Sequence, residues 1–199
     1  MKKFDNGDLR VCIFPTLVYV LDCSELVDDV KELLDDVEWS DSPIHGQTRD
    51  LYILKNKSPE LVKLFEDRIN VALEECKFEN TFQMTTSWFT RIAPYGHIES
   101  HRHGNCMWSS VFYFEEECGS LSFTKESQSI HVPQNNCNPY LTMSGDVSLP
   151  CEKGTLLLFP SHLHHRLTLN DRSDIRYSMA MNYMPKGQVT IGDSSFNYG

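Results

Sequence analysis

Residues 152–182 of the chain read EKGTLLLFPSHLHHRLTLNDRSDIRYSMAMN. Three strand-like runs lie in or overlap this stretch, at 155–160, 163–169 and 175–183, and three histidines and a polar turn lie between the first run and the last. Similar short runs recur upstream, and turn residues such as Gly and Asn separate them. Many short strands at close spacing predict a β-sandwich or barrel. The predicted strands are 84–93, 108–115, 120–124, 130–133, 140–143, 146–149, 155–160, 163–169 and 175–183.

The N-terminal part of the chain has a different pattern. A strand is predicted over 9–21, a helix from Ser24 to about Val37, and a second helix from Pro59 through Cys76. No repeat or linker divides the chain, so we expect one domain over 1–199, with the helices packed on one outer face of the sheets. Its parts are the N-terminal strand and helices at 9–80, the β core at 82–184 and a peripheral tail at 187–199.

The composition restricts the partners and the compartment. Of 199 residues, 40% are hydrophobic and the formal net charge is −10, which disfavours nucleic acid and anionic membranes as partners. The apolar run Ile13–Leu21 is too short to span a bilayer, and the charged N-terminus has no signal-peptide core. Seven cysteines without a C-x-x-C pair indicate reduced thiols. We therefore expect a cytoplasmic protein.

The histidines are concentrated in two clusters. Seven of the eight lie between residues 97 and 165, and the first cluster is His101 and His103. On a strand these two side chains point to the same side, roughly 7 Å apart at Cβ, from where both could reach one ion at about 2.1 Å. A lone H-x-H is a weak signal, because surface histidines produce it by chance.

The second cluster leaves its metal ligand open. His164 and His165 are adjacent, so only one can face a site from a strand. If 163–169 and 175–183 form a hairpin, a four-residue loop selects His165, which then lies opposite Ser178, whereas a five-residue loop selects His164. Hairpin geometry does not distinguish the two from sequence.

The strand at 175–183 carries a buried-looking arginine. Arg176 and Ser178 share one face by alternation, together with Ala180 and Asn182. An arginine in an apolar strand is costly unless paired, and its planar fork suits a carboxylate. The partner is either a bound dicarboxylate or an internal acidic residue from the run at 115–117.

These motifs resemble the Fe(II)/2-oxoglutarate-dependent oxygenase superfamily, and in particular a family of small oxygenases of bacteria and phages. The resemblance is carried by PYGHIESHRHGNCMWSSVFYF (94–114), GSLSF (119–123) and the block at 152–182, with FPTLVYV (14–20) near the start. It implies a mainly β fold, a double-stranded β-helix (jelly roll, cupin-like). It also implies Fe(II), 2-oxoglutarate as co-substrate, O2, and ascorbate as an accessory reductant.

The resemblance assigns roles to individual residues. His165 becomes the distal metal ligand, and His101 and His103 match the first ligand pair. Arg176, assisted by Ser178, would hold the far carboxylate of 2-oxoglutarate, and Tyr113 is a candidate hydrogen-bond donor to it. The chain departs from the common His-x-Asp/Glu…His triad. Three histidines, two histidines with water, Glu99 and Asn105 therefore all stay open for the third ligand position.

The expected activity is oxidation of a substrate, of the hydroxylase type, coupled to decarboxylation of 2-oxoglutarate to succinate. The alternatives are a three-histidine cupin-like metalloenzyme that does not use 2-oxoglutarate, and a non-catalytic jelly-roll binding module. The substrate, a small molecule or a peptidyl side chain, is not readable from the sequence, because loops shape its pocket. The oligomeric state and the physiological metal are not readable either.

Overall fold

A computed structural model of the chain describes residues 2–3, 9–10, 16–40, 42, 44–125, 145–190 and 192–198. The predicted strands at 130–133 and 140–143 lie outside the described residues. The helices are α1 (Val27–Glu32), α2 (Ile53–Lys57) and α3 (Pro59–Leu73). The strands are β1 (Lys2–Lys3), β2 (Leu9–Arg10), β3 (Tyr19–Asp22), β4 (His45–Gln47), β5 (Phe82–Ile92), β6 (Ile98–His101), β7 (Trp108–Phe112), β8 (Ser120–Lys125), β9 (Gly145–Pro150), β10 (Thr155–Pro160), β11 (His165–Leu167), β12 (Arg176–Pro185), β13 (Gly187–Val189) and β14 (Phe196–Tyr198).

Two antiparallel sheets form the body of the fold. The larger has six strands in the order β3-β10-β7-β12-β5-β4, and the smaller has four in the order β6-β11-β8-β9. One buried apolar cluster combines residues of both sheets, including Val111 and Leu157 of the larger and Leu121, Phe123 and Leu167 of the smaller. The two sheets therefore face each other across a core, and the predicted jelly roll is confirmed.

The other face of the six-stranded sheet carries the helices. A second buried cluster joins side chains of α1, α2 and α3, such as Val30, Leu54 and Phe65, to Phe112 and Met179 of the sheet. The predicted packing of helices on one outer face is thus confirmed. At about 25 cal/mol per Å² of apolar surface removed from water, this cluster contributes a large part of the stabilising burial.

Strand β12 shows why the inner and outer faces differ. Its even-numbered residues Arg176, Ser178 and Ala180 face the inside, whereas Tyr177, Met179, Met181 and Tyr183 join the cluster with the helices. The alternation follows from the two-residue period of a strand and agrees with the sequence prediction. The face of β12 that points to the space between the two sheets is consequently the more polar of its two faces.

The predicted helix over 24–37 is less regular than expected. Only Val27–Glu32 is α-helical, and 3₁₀ turns at Ser24–Leu26 and Leu33–Asp36 flank it. Ser24 does not cap it: the Asp22 Oδ1 atom accepts a hydrogen bond from the Ser24 N–H at 3.0 Å. Asp35 and Asp36 lie at the C-terminal end, where the helix dipole disfavours negative charge. The Pro59 start of α3 is confirmed.

The hairpin considered between 163–169 and 175–183 does not form. Strand β11 lies in the smaller sheet between β6 and β8, whereas β12 lies in the larger sheet between β7 and β5. The intervening segment crosses from one sheet to the other and is anchored by the buried side chain of Asn170. Its Nδ2 donates to the carbonyl oxygens of Ile92 (3.0 Å) and Asp174 (2.9 Å). His165 therefore does not lie opposite Ser178; it pairs with His101.

The C-terminal segment is a small hairpin at the periphery. Strands β13 and β14 pair with each other, and the Gln83 side chain donates to the Tyr198 carbonyl oxygen at 2.9 Å. In the described part of the chain, no helix combines the length and the apolar character that a membrane crossing needs.

Candidate metal centre

Three imidazoles meet at one end of the smaller sheet. His101 ends β6 and His165 begins β11, and the two residues are direct partners across the strands, with ring centroids 4.4 Å apart. The His103 ring lies 5.3 Å from that of His101 and 5.1 Å from that of His165. One ring nitrogen from each residue can be chosen so that all three lie within 4.8 Å of one another.

The backbone fixes the tautomer of two of the rings. The Nδ1 atom of His101 lies 2.8 Å from the Glu99 carbonyl oxygen, and that of His165 lies 2.9 Å from the Leu163 carbonyl oxygen. A carbonyl oxygen only accepts hydrogen bonds, so each Nδ1 carries the proton and each Nε2 keeps its lone pair. This is the arrangement by which proteins orient histidines that bind metals.

Two rings of the cluster, those of His103 and His165, are held in their neutral form. Burial lowers the pKa of His165 to about 3 and that of His103 to about 4, and the neighbouring His101 imidazole contributes to both shifts. At neutral pH both rings are therefore uncharged and can donate an electron pair. Imidazole nitrogens are donors suited to divalent transition metals such as iron, zinc, copper or nickel.

The other ligand candidates do not belong to the cluster. Glu99 is not part of it: its Oε1 atom lies 2.9 Å from His97 Nε2, and its side chain is 87% exposed. Asn105 is exposed in the loop after β6, and His164 does not join the three rings. The geometry thus brings together His101, His103 and His165, the set that the resemblance implied. No carboxylate of the described residues joins them.

The histidines open onto a cavity of about 590 Å³ between the two sheets. On the smaller sheet its wall is the cluster itself with Ile98, Leu121 and Leu167. On the larger sheet the wall follows the inward rows of β4, β5, β7 and β12. The residues there are His45, Gly46, Gln47, Trp88, Thr90, Val111, Ser178 and Ala180.

Arg176 is a buried cation without an acidic partner among the described residues. It is 3% exposed, and its Nη2 donates to the Thr168 carbonyl oxygen at 2.7 Å. The acidic partner considered from the sequence is taken by another arginine, because Glu115 lies 3.5 Å from Arg172. Burial lowers the pKa of Arg176, which reflects how poorly its charge is compensated.

Gly119 makes the space that the guanidinium occupies. Its φ is +74°, and a Cβ atom there would lie 2.5 Å from Arg176 Nη1. The glycine of the GSLSF motif is therefore required both by its backbone conformation and by the close approach of the arginine.

Three hydroxyl groups lie next to Arg176 with unused hydrogen-bonding capacity. Ser178 is the direct cross-strand partner of Thr90, both residues are buried, and neither hydroxyl bonds to a described residue. The Tyr113 hydroxyl is fully buried and makes no hydrogen bond of ordinary geometry to a described residue, and the Cys151 thiol lies beside it. Burial raises the pKa of Tyr113, so the phenol keeps its proton and can donate. Thr90 was missed from the sequence, because only the register of β5 against β12 puts it beside Ser178.

The chain matches a known family over its β core. Residues 86–182 match the family described as "Putative 2OG-Fe(II) oxygenase". This segment begins in β5 and ends in β12, so it contains the three clustered histidines, Arg176 and the hydroxyl groups around it. No curated protein sequence matches the chain.

Solved structures share the fold at low sequence identity. An oxidoreductase of the 2OG-Fe(II) oxygenase family from Burkholderia pseudomallei is 12% identical with a TM-score of 0.61, covering 83% of each chain. HygX from Streptomyces hygroscopicus, solved with nickel, 2-oxoglutarate and hygromycin B, is 16% identical with a TM-score of 0.61, covering 86% of this chain and 84% of its own. A prolyl-4-hydroxylase from Pseudomonas putida is 14% identical with a TM-score of 0.56, covering 86% and 94%. At these identities the likeness establishes the jelly roll.

Proposed function

We propose that this chain, whose residues 86–182 match the 2OG-Fe(II) oxygenase family, binds Fe(II) between His101, His103 and His165 and oxidises a substrate at the expense of 2-oxoglutarate. The observation that carries the proposal is the pairing of two features in one fold. A three-imidazole cluster faces the cavity, and a buried arginine without an acidic partner among the described residues shares a strand face with Ser178 and Ala180, which line that cavity.

The donor set suits a divalent metal together with a dianion. Three neutral imidazoles leave the full double charge of the ion in place, where a carboxylate ligand would cancel part of it. When bound, the metal supplies the redox chemistry that activates O2. The protein contributes orientation of the rings, through the two Nδ1–H bonds, and a largely apolar wall of Leu121, Leu167 and Val111.

The deeper part of the site suits the far carboxylate of 2-oxoglutarate. Arg176 offers its charge, and the hydroxyl groups of Ser178, Thr90 and Tyr113 offer hydrogen bonds that no described residue takes. A carboxylate bound there would compensate a buried charge that is otherwise unpaired, which favours binding.

The proposed reaction is a hydroxylation. A substrate C–H bond, O2 and 2-oxoglutarate give a C–OH group, succinate and CO2, with one oxygen atom in the new hydroxyl and the other in succinate. We propose a small-molecule or peptidyl substrate that enters over Trp88 and Gln47, at the wall formed by β4 and β5. The five described cysteines are free thiols, which supports the expected cytoplasmic location.

The test of this function is 2-oxoglutarate turnover. The purified chain with Fe(II), ascorbate and O2 is expected to convert 2-oxoglutarate to succinate, measured by NMR, at a slow rate without substrate. Omission of Fe(II) should abolish succinate formation. Failure of the chain to bind either iron or 2-oxoglutarate at millimolar concentration, measured by calorimetry under anaerobic conditions, would contradict the proposal.

A second candidate is a three-histidine metalloenzyme that does not use 2-oxoglutarate. It is favoured by one observation, the absence of a carboxylate from the cluster among the described residues. Such an enzyme would consume O2 at a rate indifferent to 2-oxoglutarate, so oxygen uptake with and without the co-substrate distinguishes the two. Lack of stoichiometric metal after anaerobic reconstitution would instead favour a non-catalytic binding module.

Thr90→Val is expected to weaken 2-oxoglutarate binding about 5- to 10-fold, because one hydrogen bond to a charged carboxylate is lost at nearly constant side-chain volume. Calorimetry with Co(II)-loaded protein measures this directly. Thr124→Val is the matched control, since the Thr124 hydroxyl bonds to Asp146 on the smaller sheet. Equal dissociation constants for the wild-type chain and Thr90→Val would exclude Thr90 from the co-substrate site.

A further inference from the structure

His103 is the one histidine of the cluster that no strand holds in place. Strand β6 ends at His101, and residues 104 and 105 beyond His103 are exposed. His103 lies in the loop between β6 and β7. The backbone N–H and carbonyl groups of Ser161, which directly follows β10, bond to both ends of this loop. The His103 N–H donates to the Ser161 carbonyl oxygen at 3.0 Å, and the Ser161 N–H donates to the Met107 carbonyl oxygen at 3.0 Å.

The side chain of Ser161 begins a hydrogen-bond chain that crosses the larger sheet. Its Oγ lies 2.8 Å from Ser109 Oγ, Ser109 Oγ donates to Asn182 Oδ1 at 2.7 Å, and Asn182 Nδ2 donates to Thr86 Oγ1 at 3.0 Å. The direction is fixed, because an amide oxygen only accepts. Ser109 therefore gives its proton to Asn182, and Ser161 must donate to Ser109.

This polar row contrasts with the inward row next to it. Leu157, Val111, Ala180 and Trp88 are direct partners across the same four strands and carry no hydrogen bond between their side chains. Inward-facing positions on these four strands can therefore be filled by side chains that form no hydrogen bonds with one another. Buried polar groups are costly unless they are bonded, and fully satisfied networks fix one geometry. Ser109 and Ser161 are 1% and 0% exposed and lie where the sheet meets the His103 loop.

We propose that the hydrogen-bond chain Ser161–Ser109–Asn182–Thr86 positions His103 as the third metal ligand. It holds Ser161 against the sheet, and Ser161 holds the loop that carries His103. These are positioning residues: they act through His103 and do not touch the metal. The inference rests on the proposed function for the metal and goes beyond it in naming what completes the cluster.

The test is a Co(II) titration of the full chain, followed by visible absorption. Ser109→Ala is expected to raise the Co(II) dissociation constant about 10-fold, the size of effect seen when groups that support a ligand are removed. It should also change the absorption spectrum, and Ser109→Thr, which keeps the hydroxyl, should restore both. Ser122→Ala is the matched control, because it removes the hydroxyl of another buried serine, which forms a Ser–Ser bond (2.7 Å to Ser148) on the smaller sheet. It should lower the melting temperature and leave the dissociation constant unchanged.

A double-mutant cycle identifies the route of the effect. In a His103→Ala background, Ser109→Ala is expected to change the Co(II) dissociation constant by less than about 2-fold. Both substitutions remove the contribution of His103 to Co(II) binding. If Ser109→Ala does not fold, Thr86→Val breaks the other end of the hydrogen-bond chain. It should also weaken Co(II) binding, about 3-fold.

Two results would overturn the inference. One is an unchanged Co(II) dissociation constant and spectrum in Ser109→Ala, and the other is an equal loss of Co(II) affinity on Ser109→Ala with and without His103. Absence of Co(II) and Fe(II) binding by the unaltered chain would overturn the proposed metal centre, and this inference with it.

Discussion

His165→Ala is expected to raise the dissociation constant for Fe(II) or Co(II) by on the order of 100-fold or more, because a ligand contributes more than the groups that support it. His165 is the most buried of the three clustered histidines, at 2% exposure, and its Nδ1–H bond to Leu163 aims the Nε2 lone pair. Anaerobic titration with either metal measures the change. Succinate formation should fall below detection in the same variant.

His164→Ala is the control for this prediction. The two histidines are neighbours in sequence and differ in that only His165 belongs to the cluster. The His164→Ala variant should keep the metal affinity of the unaltered chain within about 2-fold, since substitutions away from a site are usually near neutral. If both variants lost metal to the same extent, the cluster would not be the metal site.

The strand faces could be predicted because they depend on local periodicity. The alternation along β12 assigned Arg176 and Ser178 to one face and Tyr177 and Met179 to the other, and the structure agrees. A two-residue period is a property of the strand alone, so neighbours in space do not alter it. The bounds of β10, Thr155–Pro160, could be predicted because its continuous apolar run begins directly after the turn residues Lys153 and Gly154.

The pairing of strands could not be predicted in the same way. A hairpin register left His164 and His165 open and only the family resemblance selected His165, and the hairpin does not exist. The true partner of His165 is His101, which lies more than sixty positions away in sequence. The crossing between sheets depends on Asn170, which bonds to Ile92 from a distant strand. Such long-range contacts leave no periodic signal.

The first histidine pair shows a similar limit. Strand alternation was expected to put His101 and His103 on one face, but β6 ends at His101 and the loop anchored on Ser161 brings His103 back. The sequence likewise could not decide which arginine pairs with Glu115. Arg172, held also by Asp174, takes that carboxylate and leaves Arg176 without one among the described residues.

Arg176→Ala is expected to weaken 2-oxoglutarate binding by about 2 kcal/mol or more, roughly 30-fold, because the charged hydrogen bonds to the far carboxylate are lost. The metal affinity should stay unchanged, since the guanidinium lies away from the histidine cluster and is not one of its ligand groups. Calorimetric titration of the Co(II)-loaded variant with 2-oxoglutarate separates the two quantities.

Arg172→Ala is the matched control, and stability gives the second readout. Arg172 takes part in ion pairs with Glu115 and Asp174, so its loss should lower the melting temperature and leave 2-oxoglutarate affinity intact. Arg176 has no such partner among the described residues, and removing an uncompensated buried charge costs little folding free energy. Without 2-oxoglutarate, Arg176→Met, which keeps an unbranched apolar stem, should therefore have a melting temperature near that of the unaltered chain. Addition of 2-oxoglutarate should raise its melting temperature less than that of the unaltered chain. A large loss of stability together with an unchanged 2-oxoglutarate dissociation constant would mean that Arg176 supports the fold and does not bind the co-substrate.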